Sequence, residues 1–199
     1  MTTIKHRATI LVASLTGNTL HVAERISQGF QEEEFQVQVI DVTVFPQSKE
    51  REQEIQEMIT RSDAIGIGSP SVGMQEIQPL RKAVAKLIPN SGIMKGKAGF
   101  AFCTCGADTK LPGKSNTNMA AMLRERGLIV VGTLVVFAPH DMRTIPGMKW
   151  EWSESEVSRA QHFGKEVAVK SLMEVLSPAS IPGAGLLANC LAWAVGHTM

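Results

Sequence analysis

Apolar residues fall into two alternating patterns along the chain. Short continuous apolar runs, such as Ile10-Leu11-Val12, are bounded by turn residues and are typical of strands buried on both faces of a parallel sheet. Between these runs, apolar residues recur at helical spacing, as at Val22 and Ile26, which predicts amphipathic helices. The pattern predicts strands over 9–13, 35–42, 63–68, 97–103 and 128–137, and helices over 18–31, 50–61 and 75–87, with a fourth ending near 127 and a fifth starting at 153.

Five strands alternating with helices predict an α/β fold, a three-layer, doubly wound, five-stranded parallel sheet. In such sheets, ligands bind at the carboxyl ends of the strands, where the loops after the first, third and fourth predicted strands would meet. Residues 1–176 form the predicted domain. Residues 177–199 form an apolar C-terminal extension, because Pro178 and Pro182 break regular structure ahead of a nearly continuous apolar run. That run is too hydrophobic to stay solvated, so we expect it to cover its own domain, a second subunit or a partner.

Composition excludes several classes of protein. The 199 residues carry a net charge of +1, and no basic run indicates nucleic-acid binding. No apolar run reaches the ~20 residues needed to span a bilayer, and the N-terminus lacks a signal-peptide core, which predicts a cytoplasmic protein that does not span a membrane. Three cysteines, Cys103, Cys105 and Cys190, do not form a disulfide framework, a zinc site or a four-cysteine cluster.

The loop after the first predicted strand is rich in small and hydroxyl residues and reads Ser14-Leu15-Thr16-Gly17-Asn18-Thr19. It leads directly into a helix, whose N-terminus offers unpaired N–H groups and the positive end of its dipole. Gly17 lets the backbone approach an anion closely. The loop contains no Lys or Arg, and neither a Walker sequence nor G-x-G-x-x-G is present. The sequence therefore predicts a site for a single terminal phosphate.

This loop resembles the FMN phosphate loop of the flavodoxin family, [ST]-x-T-G-N-T, in both sequence and position. The resemblance implies a flavodoxin-like sheet with strand order 2-1-3-4-5 and FMN as the cofactor. In the family, two further loops reach the isoalloxazine ring. The residues that match them here are Ser69-Pro70-Ser71-Val72-Gly73-Met74, after the third strand, and Thr104-Cys105-Gly106-Ala107, after the fourth.

The sequence departs from the family in its aromatic residues. The chain contains no Tyr, and Val72 and Met74 stand where Trp or Tyr is common. Thr104-Cys105-Gly106 replaces a frequent Thr-Tyr-Gly. Loss of an aromatic stack is worth about 0.5–1.5 kcal/mol beyond buried area, so FMN affinity should fall without disappearing. Either the flavin is held loosely or one of its faces is open to a substrate or partner.

The resemblance implies an FMN-binding redox protein that transfers electrons to or from a partner protein, with iron–sulfur proteins among the candidate partners. One alternative is an FMN-dependent quinone or NAD(P)H reductase, and another is a partner-binding module without flavin. No residue is assigned a catalytic role. His21 is expected to be exposed, and His140 is expected to pack within its loop. Cys105 is expected to pack beside the flavin. The sequence also leaves open whether the protein forms a homodimer through the C-terminal extension.

Overall fold

A computed structural model describes residues 6–46, 48–90, 92–106, 113–137 and 153–175. These residues form strands and helices that alternate along the chain. The strands are β1 (Arg7–Val12), β2 (Gln36–Asp41), β3 (Ala64–Val72), β4 (Gln75–Glu76), β5 (Ala98–Cys105) and β6 (Ile129–Phe137). The helices are α1 (Asn18–Glu32), α2 (Lys49–Arg61), α3 (Gln78–Leu87), α4 (Gly113–Glu125) and α5 (Glu154–Val175).

Five strands form a parallel sheet in the order β2-β1-β3-β5-β6. The two-residue β4 pairs with β3 outside this path. Because β5 and β6 are the fourth and fifth predicted strands, the predicted order 2-1-3-4-5 is confirmed. β1 lies between β2 and β3, with Val12 level with Asp41 of β2 and Gly68 of β3. The carboxyl ends of these strands therefore meet at one edge of the sheet.

Both faces of the sheet are buried, which explains the continuous apolar runs. Leu11 points into a core shared with α2, α3 and α4, and the adjacent Ile10 points into a second core shared with α1 and α5. Phe30, Phe100 and Phe163 fill the second core with stacked and edge-on rings. Helices on both faces make the three layers that the sequence predicts.

The region after β3 differs from the sequence prediction. A strand over 63–68, a loop and a helix from 75 were predicted, whereas β3 continues to Val72, turns back into β4, and α3 starts at Gln78. Two residues with positive φ, Gly73 at 58° and Met74 at 65°, make the tight turn. The first turn of the predicted helix is lost, because Gln75 and Glu76 pair with β3 and Ile77 is extended, with φ −77° and ψ 150°.

The start of α5 and the end of α4 follow the sequence signals. Ser153 precedes α5, and its hydroxyl accepts a hydrogen bond from the Glu156 N–H at 3.3 Å, as a helix N-cap does. Gly127 has φ 86° just beyond α4, the conformation expected at a helix C-terminus. Across the described ranges, no helix combines the length and apolar character that a bilayer crossing needs.

Candidate functional site at the carboxyl edge of the sheet

Three predicted site loops converge where β1, β3 and β5 end. The start of α1 and the end of β5 touch directly, because the hydroxyls of Thr19 and Thr104 lie 2.8 Å apart in a buried hydrogen bond. The sheet order places the end of β3 between β1 and β5. The structure thus brings together residues that are about 85 positions apart in the chain.

The first loop presents an uncompensated helix N-terminus. α1 begins at Asn18, preceded by Gly17 in the left-handed conformation with φ 85°, and Gly17, the N-cap residue, has no side chain that could accept a hydrogen bond from the helix. Its first turn contains no acidic residue. The Leu20 N–H donates to the Ser14 hydroxyl at 3.2 Å, so Ser14 closes the loop around the helix start. The free end of the dipole attracts an anion, most strongly within this first turn.

Asn18 adds a polar atom that lacks a partner among the described residues. Its side-chain oxygen is buried without a hydrogen bond. A buried polar atom without a partner costs about 1–3 kcal/mol, so native proteins rarely leave one without a ligand or water. Rotation of the amide group places the NH₂ donor at the same point, where it would suit a phosphate oxygen. The chemistry of this loop therefore fits a terminal phosphate.

Two residues that the sequence reasoning missed hold the first loop from the side. The Thr43 hydroxyl accepts a hydrogen bond from the Ser14 N–H at 2.7 Å and lies 2.5 Å from Asp41 Oδ1. Asp41 ends β2 and Thr43 follows it, and β2 neighbours β1 in the sheet. The predicted strand order could have found them, because it puts the end of the second strand beside the phosphate loop.

The second loop is the hairpin formed by β3 and β4. Ser69 is fully buried, and its hydroxyl accepts the Ile77 N–H at 2.9 Å, so it shapes the base of the hairpin. Pro70 and Ser71 continue β3 and are partly buried. Gly73 lies at the tip with nothing within 4 Å of the position a Cβ would take. The tip is therefore open to a ligand from its outer side.

The third loop begins later than the sequence predicted. Thr104 and Cys105 were assigned to a loop, but both belong to β5 and are buried. Their backbones pair with Val136 and Phe137 of β6, and this added pairing extends the strand. Gly106 ends the described range 92–106. The predicted site residue Ala107 lies outside the described residues.

Exposed apolar side chains gather at this edge. Leu15, Val44, Val72 and Met74 are each more than half exposed. Leu15 and Val44 follow β1 and β2, Val72 ends β3, and Met74 lies in the turn after it. Exposed apolar groups that cluster around polar donors are typical of a binding surface. Val44 did not feature among the predicted site residues. Together these side chains form an apolar rim beside the phosphate loop.

Of the two histidines considered in the sequence, His21 is described, and it lies in α1 directly after the first loop. His21 is about three-quarters buried, and its Nδ1 lies 3.8 Å from a carboxylate oxygen of Glu24, one turn along α1. The expectation of a simply exposed His21 is therefore only partly right. His140 lies outside the described residues.

Burial makes one of the two nearby thiols inert. It raises the pKa of Cys103 to about 12, and the neighbouring Cys105 adds to the rise. Cys103 points into the core shared with α2, α3 and α4. It is therefore a neutral packing residue at neutral pH.

A cavity of about 310 Å³ lies at the opposite edge, where β1 and β2 begin beside α2. Gln36, Gln38 and Arg61 are among its lining residues. Arg61 lies 3.7 Å from Glu57, so the charges there offset each other. Among the lining residues of this cavity there is neither a helix N-terminus nor a buried polar atom without a partner. The carboxyl edge is the stronger candidate for the functional site.

Comparison with solved structures identifies the fold. A flavodoxin from the domain Archaea matches with a TM-score of 0.64 and 21% identity, over 83% of this chain and 99% of that protein. A flavodoxin, WrbA-like protein from Agrobacterium tumefaciens matches with a TM-score of 0.65 and 16% identity, over 85% and 99% of the two chains. This chain has the flavodoxin-like fold, as the sequence predicts.

The fold also occurs as part of larger proteins. Rubredoxin oxygen oxidoreductase from Desulfovibrio gigas matches with a TM-score of 0.65 and 16% identity, over 87% of this chain but only 38% of that protein. Neither the protein-family models nor the curated proteins compared with the sequence give a match. At these identities the structural matches establish the fold alone.

Proposed function

We propose that this protein binds FMN at the carboxyl edge of its sheet and transfers electrons to or from a partner protein. The observation that carries the proposal is the start of α1, where a helix N-terminus without an acidic residue in its first turn, a left-handed Gly17 and the unpartnered side-chain oxygen of Asn18 coincide. The flavodoxins among the structural matches support the same cofactor. Bound FMN would supply the redox chemistry, and the protein would supply position and environment.

The phosphate would be held by the first loop. Thr16, Asn18 and the N–H groups at the start of α1 are the proposed donors, because they lie at the positive end of the helix dipole. Thr19 and Ser14 would act indirectly. Thr19 is bonded to Thr104, and Ser14 supports Leu20. The negative phosphate then needs no lysine or arginine.

The ring would lie against the apolar rim. Leu15, Val72 and Met74 would contact it in place of the aromatic side chains common in flavodoxins. Gly73 leaves the hairpin tip open for close approach. The remaining proposed contacts come from the second and third loops, at Ser69, Pro70, Ser71, Thr104, Cys105, Gly106 and Ala107.

A carrier of electrons is favoured over an enzyme with its own acid or base. In the described site residues of the three loops, over 14–19, 69–74 and 104–106, the side chains are small, apolar, hydroxyl or amide groups, apart from the thiol of Cys105. The nearby carboxylate of Glu76, in β4, is paired with Arg81. The oxidoreductase from Desulfovibrio gigas, which is named for rubredoxin, supports a protein as the redox partner. An iron–sulfur protein is the partner class that we propose.

A flavin-dependent quinone or NAD(P)H reductase is the second candidate. It is favoured by the exposed Val72 and Met74, which would leave one face of the ring open to a stacked substrate. Steady oxidation of NAD(P)H with a quinone would support the reductase. Its absence, together with rapid reduction of the bound flavin by a reduced protein partner, would support the carrier.

The test of flavin binding is the absorption spectrum of the purified protein. We expect flavin bands in the visible region and release of FMN, identified by mass, on denaturation. A colourless protein that stays colourless after incubation with FMN would contradict the proposal and leave the flavin-free binding module.

A further inference from the structure

Glu76 is an acidic side chain buried at the base of the β3–β4 hairpin. Its side chain is only 2% exposed, yet its Oε1 lies 2.5 Å from Arg81 Nε in α3. Its Oε2 accepts a hydrogen bond from the Asn118 amide in α4 at 3.2 Å. A buried carboxylate is costly unless it is paired and hydrogen-bonded, and both oxygens of Glu76 are.

The hairpin's own pairing is short, and one further hydrogen bond, from the Ile77 N–H to the Ser69 hydroxyl, closes its base. β4 is two residues long and pairs with β3 through Ser71 and Val72 alone. The turn places Met74 at φ 65°, a conformation that residues other than glycine adopt at a cost. Such a short ladder is marginal by itself. The contacts of Glu76 to two helices therefore supply the anchorage that the ladder lacks.

The two partners of Glu76 lead to different parts of the site. Arg81 is 47% exposed, and its Nη2 also reaches the side-chain oxygen of Gln75 at 3.3 Å, which fixes the returning strand of the hairpin. Asn118 belongs to α4, the helix that follows the third loop. Glu76 thus joins the second loop to the helix beyond the third.

We infer that Glu76 is a positioning residue that holds the hairpin as a fixed wall against the flavin ring. The inference rests on the proposed binding of FMN at this edge. Glu76 itself would not touch the flavin. It would act through the tip residues Val72, Gly73 and Met74, whose place relative to the phosphate loop depends on the anchor. Contacts to the ring should therefore depend on Glu76, and contacts to the phosphate should not.

The test is Glu76→Gln, which keeps the shape and the Asn118 contact but removes the charge that pairs with Arg81. We expect the affinities for FMN and riboflavin to fall together by about tenfold, the equivalent of one charge-assisted hydrogen bond. The ratio of the two affinities should not change, and the midpoint potential of bound FMN should shift. In the flavin-free protein, the amides of the hairpin should exchange hydrogen faster, and those of α1 should not.

Glu54→Gln is the matched control, because Glu54 forms an ion pair with Arg51 at the same 2.5 Å distance on the surface of α2. It should leave flavin affinity, potential and hairpin exchange unchanged. Arg81→Gln breaks the anchor from its half-exposed side and should reproduce Glu76→Gln if the latter folds poorly. Arg81→Lys, which keeps the charge, should restore most of the affinity.

Two results separate this inference from the function on which it rests. If the parent protein binds FMN and Glu76→Gln has the parent's affinities, potential and hairpin exchange, Glu76 has no positioning role and FMN binding stands. If the parent binds no flavin, both proposals are overturned.

Discussion

Asn18 and Thr16 are the side chains on which the choice of cofactor most depends. We expect the double substitution Thr16→Ala with Asn18→Ala to weaken FMN binding strongly and riboflavin binding little. Each lost hydrogen bond to a charged phosphate costs about 1.5–3 kcal/mol, or roughly ten- to a hundredfold in affinity. Fluorescence titration with both flavins measures the difference.

Thr133→Ala is the control for this experiment, since Thr133 is an exposed hydroxyl residue on β6, away from the first loop. It should leave both affinities unchanged. Equal losses for FMN and riboflavin in the double variant would remove the first loop from the phosphate site.

Cys103 gives a prediction about pH. Its folded-state pKa is raised from 9.0 to about 12 by burial and by Cys105. The unfolded thiol ionises near pH 9 while the folded thiol keeps its proton, so the stability from this group is full below pH 9 and falls as pH rises above it. We expect the thermal stability of the Cys103→Ala variant to fall less than that of the parent as the pH is raised from 8 to 10.5, measured by thermal unfolding. Equal falls in the two proteins would contradict the raised pKa of Cys103.

The phosphate loop could be predicted from sequence because its residues are contiguous and each has a local role. Thr43 and Glu76 could not, because their roles depend on neighbours brought close by the sheet and by helix packing. Thr43 meets Ser14 across 29 positions, and Glu76 meets Asn118 across 42. Hydrophobic periodicity contains no information about such polar contacts.

Among the helices, α1 and α5 pack most closely. A Cβ added to Gly29 would overlap the Gln161 carbonyl oxygen, and one added to Gly164 would overlap that of Ile26. Both obstacles are backbone atoms, which cannot turn aside as a side chain would. We expect Gly29→Ala or Gly164→Ala to lower the free energy of unfolding by about 2–3 kcal/mol, despite the better helix propensity of alanine.

Gly92→Ala is the matched control, since nothing lies within 4 Å of its Cβ position and its φ is not positive. It should leave the unfolding midpoint in denaturant nearly unchanged. An unaltered free energy of unfolding in both helix variants would contradict the close backbone packing of α1 against α5.

Helices and strands were predictable where one signal dominated. α1 and α2 begin and end within a residue or two of their predicted bounds, because helical spacing and end signals agree there. The hairpin after β3 was missed, because apolar spacing in 75–87 indicates a helix whose first turn the structure replaces with β4. Positive φ angles are usually predicted from Gly in the sequence, and Met74, the second residue of this turn, gives no such signal.

For the whole molecule, the domain boundary after 176 stays a prediction. Residues 177–199, with their apolar run, lie outside the described residues. All the described core and the three loops precede them, so we expect a protein truncated after Leu176 to fold and to bind FMN. Size-exclusion chromatography, thermal unfolding and flavin content of both forms test this together.

Truncation also separates the roles proposed for the C-terminal extension. Loss of a dimer with a folded, yellow monomer would show that the extension docks on a second copy. A monomer in both forms, destabilised by truncation, would leave packing on its own domain. A truncated protein that no longer binds FMN would contradict the boundary.

FMN recognition is tested most directly by calorimetric titration of the flavin-free protein with FMN and with riboflavin at equal ionic strength. The two ligands share the ring and differ in the phosphate that the start of α1 is proposed to hold. We predict that FMN binds at least about tenfold more tightly than riboflavin, because several N–H and side-chain donors meet its phosphate. Equal affinities, or no binding of either flavin, would contradict the proposal that this edge of the sheet is an FMN site.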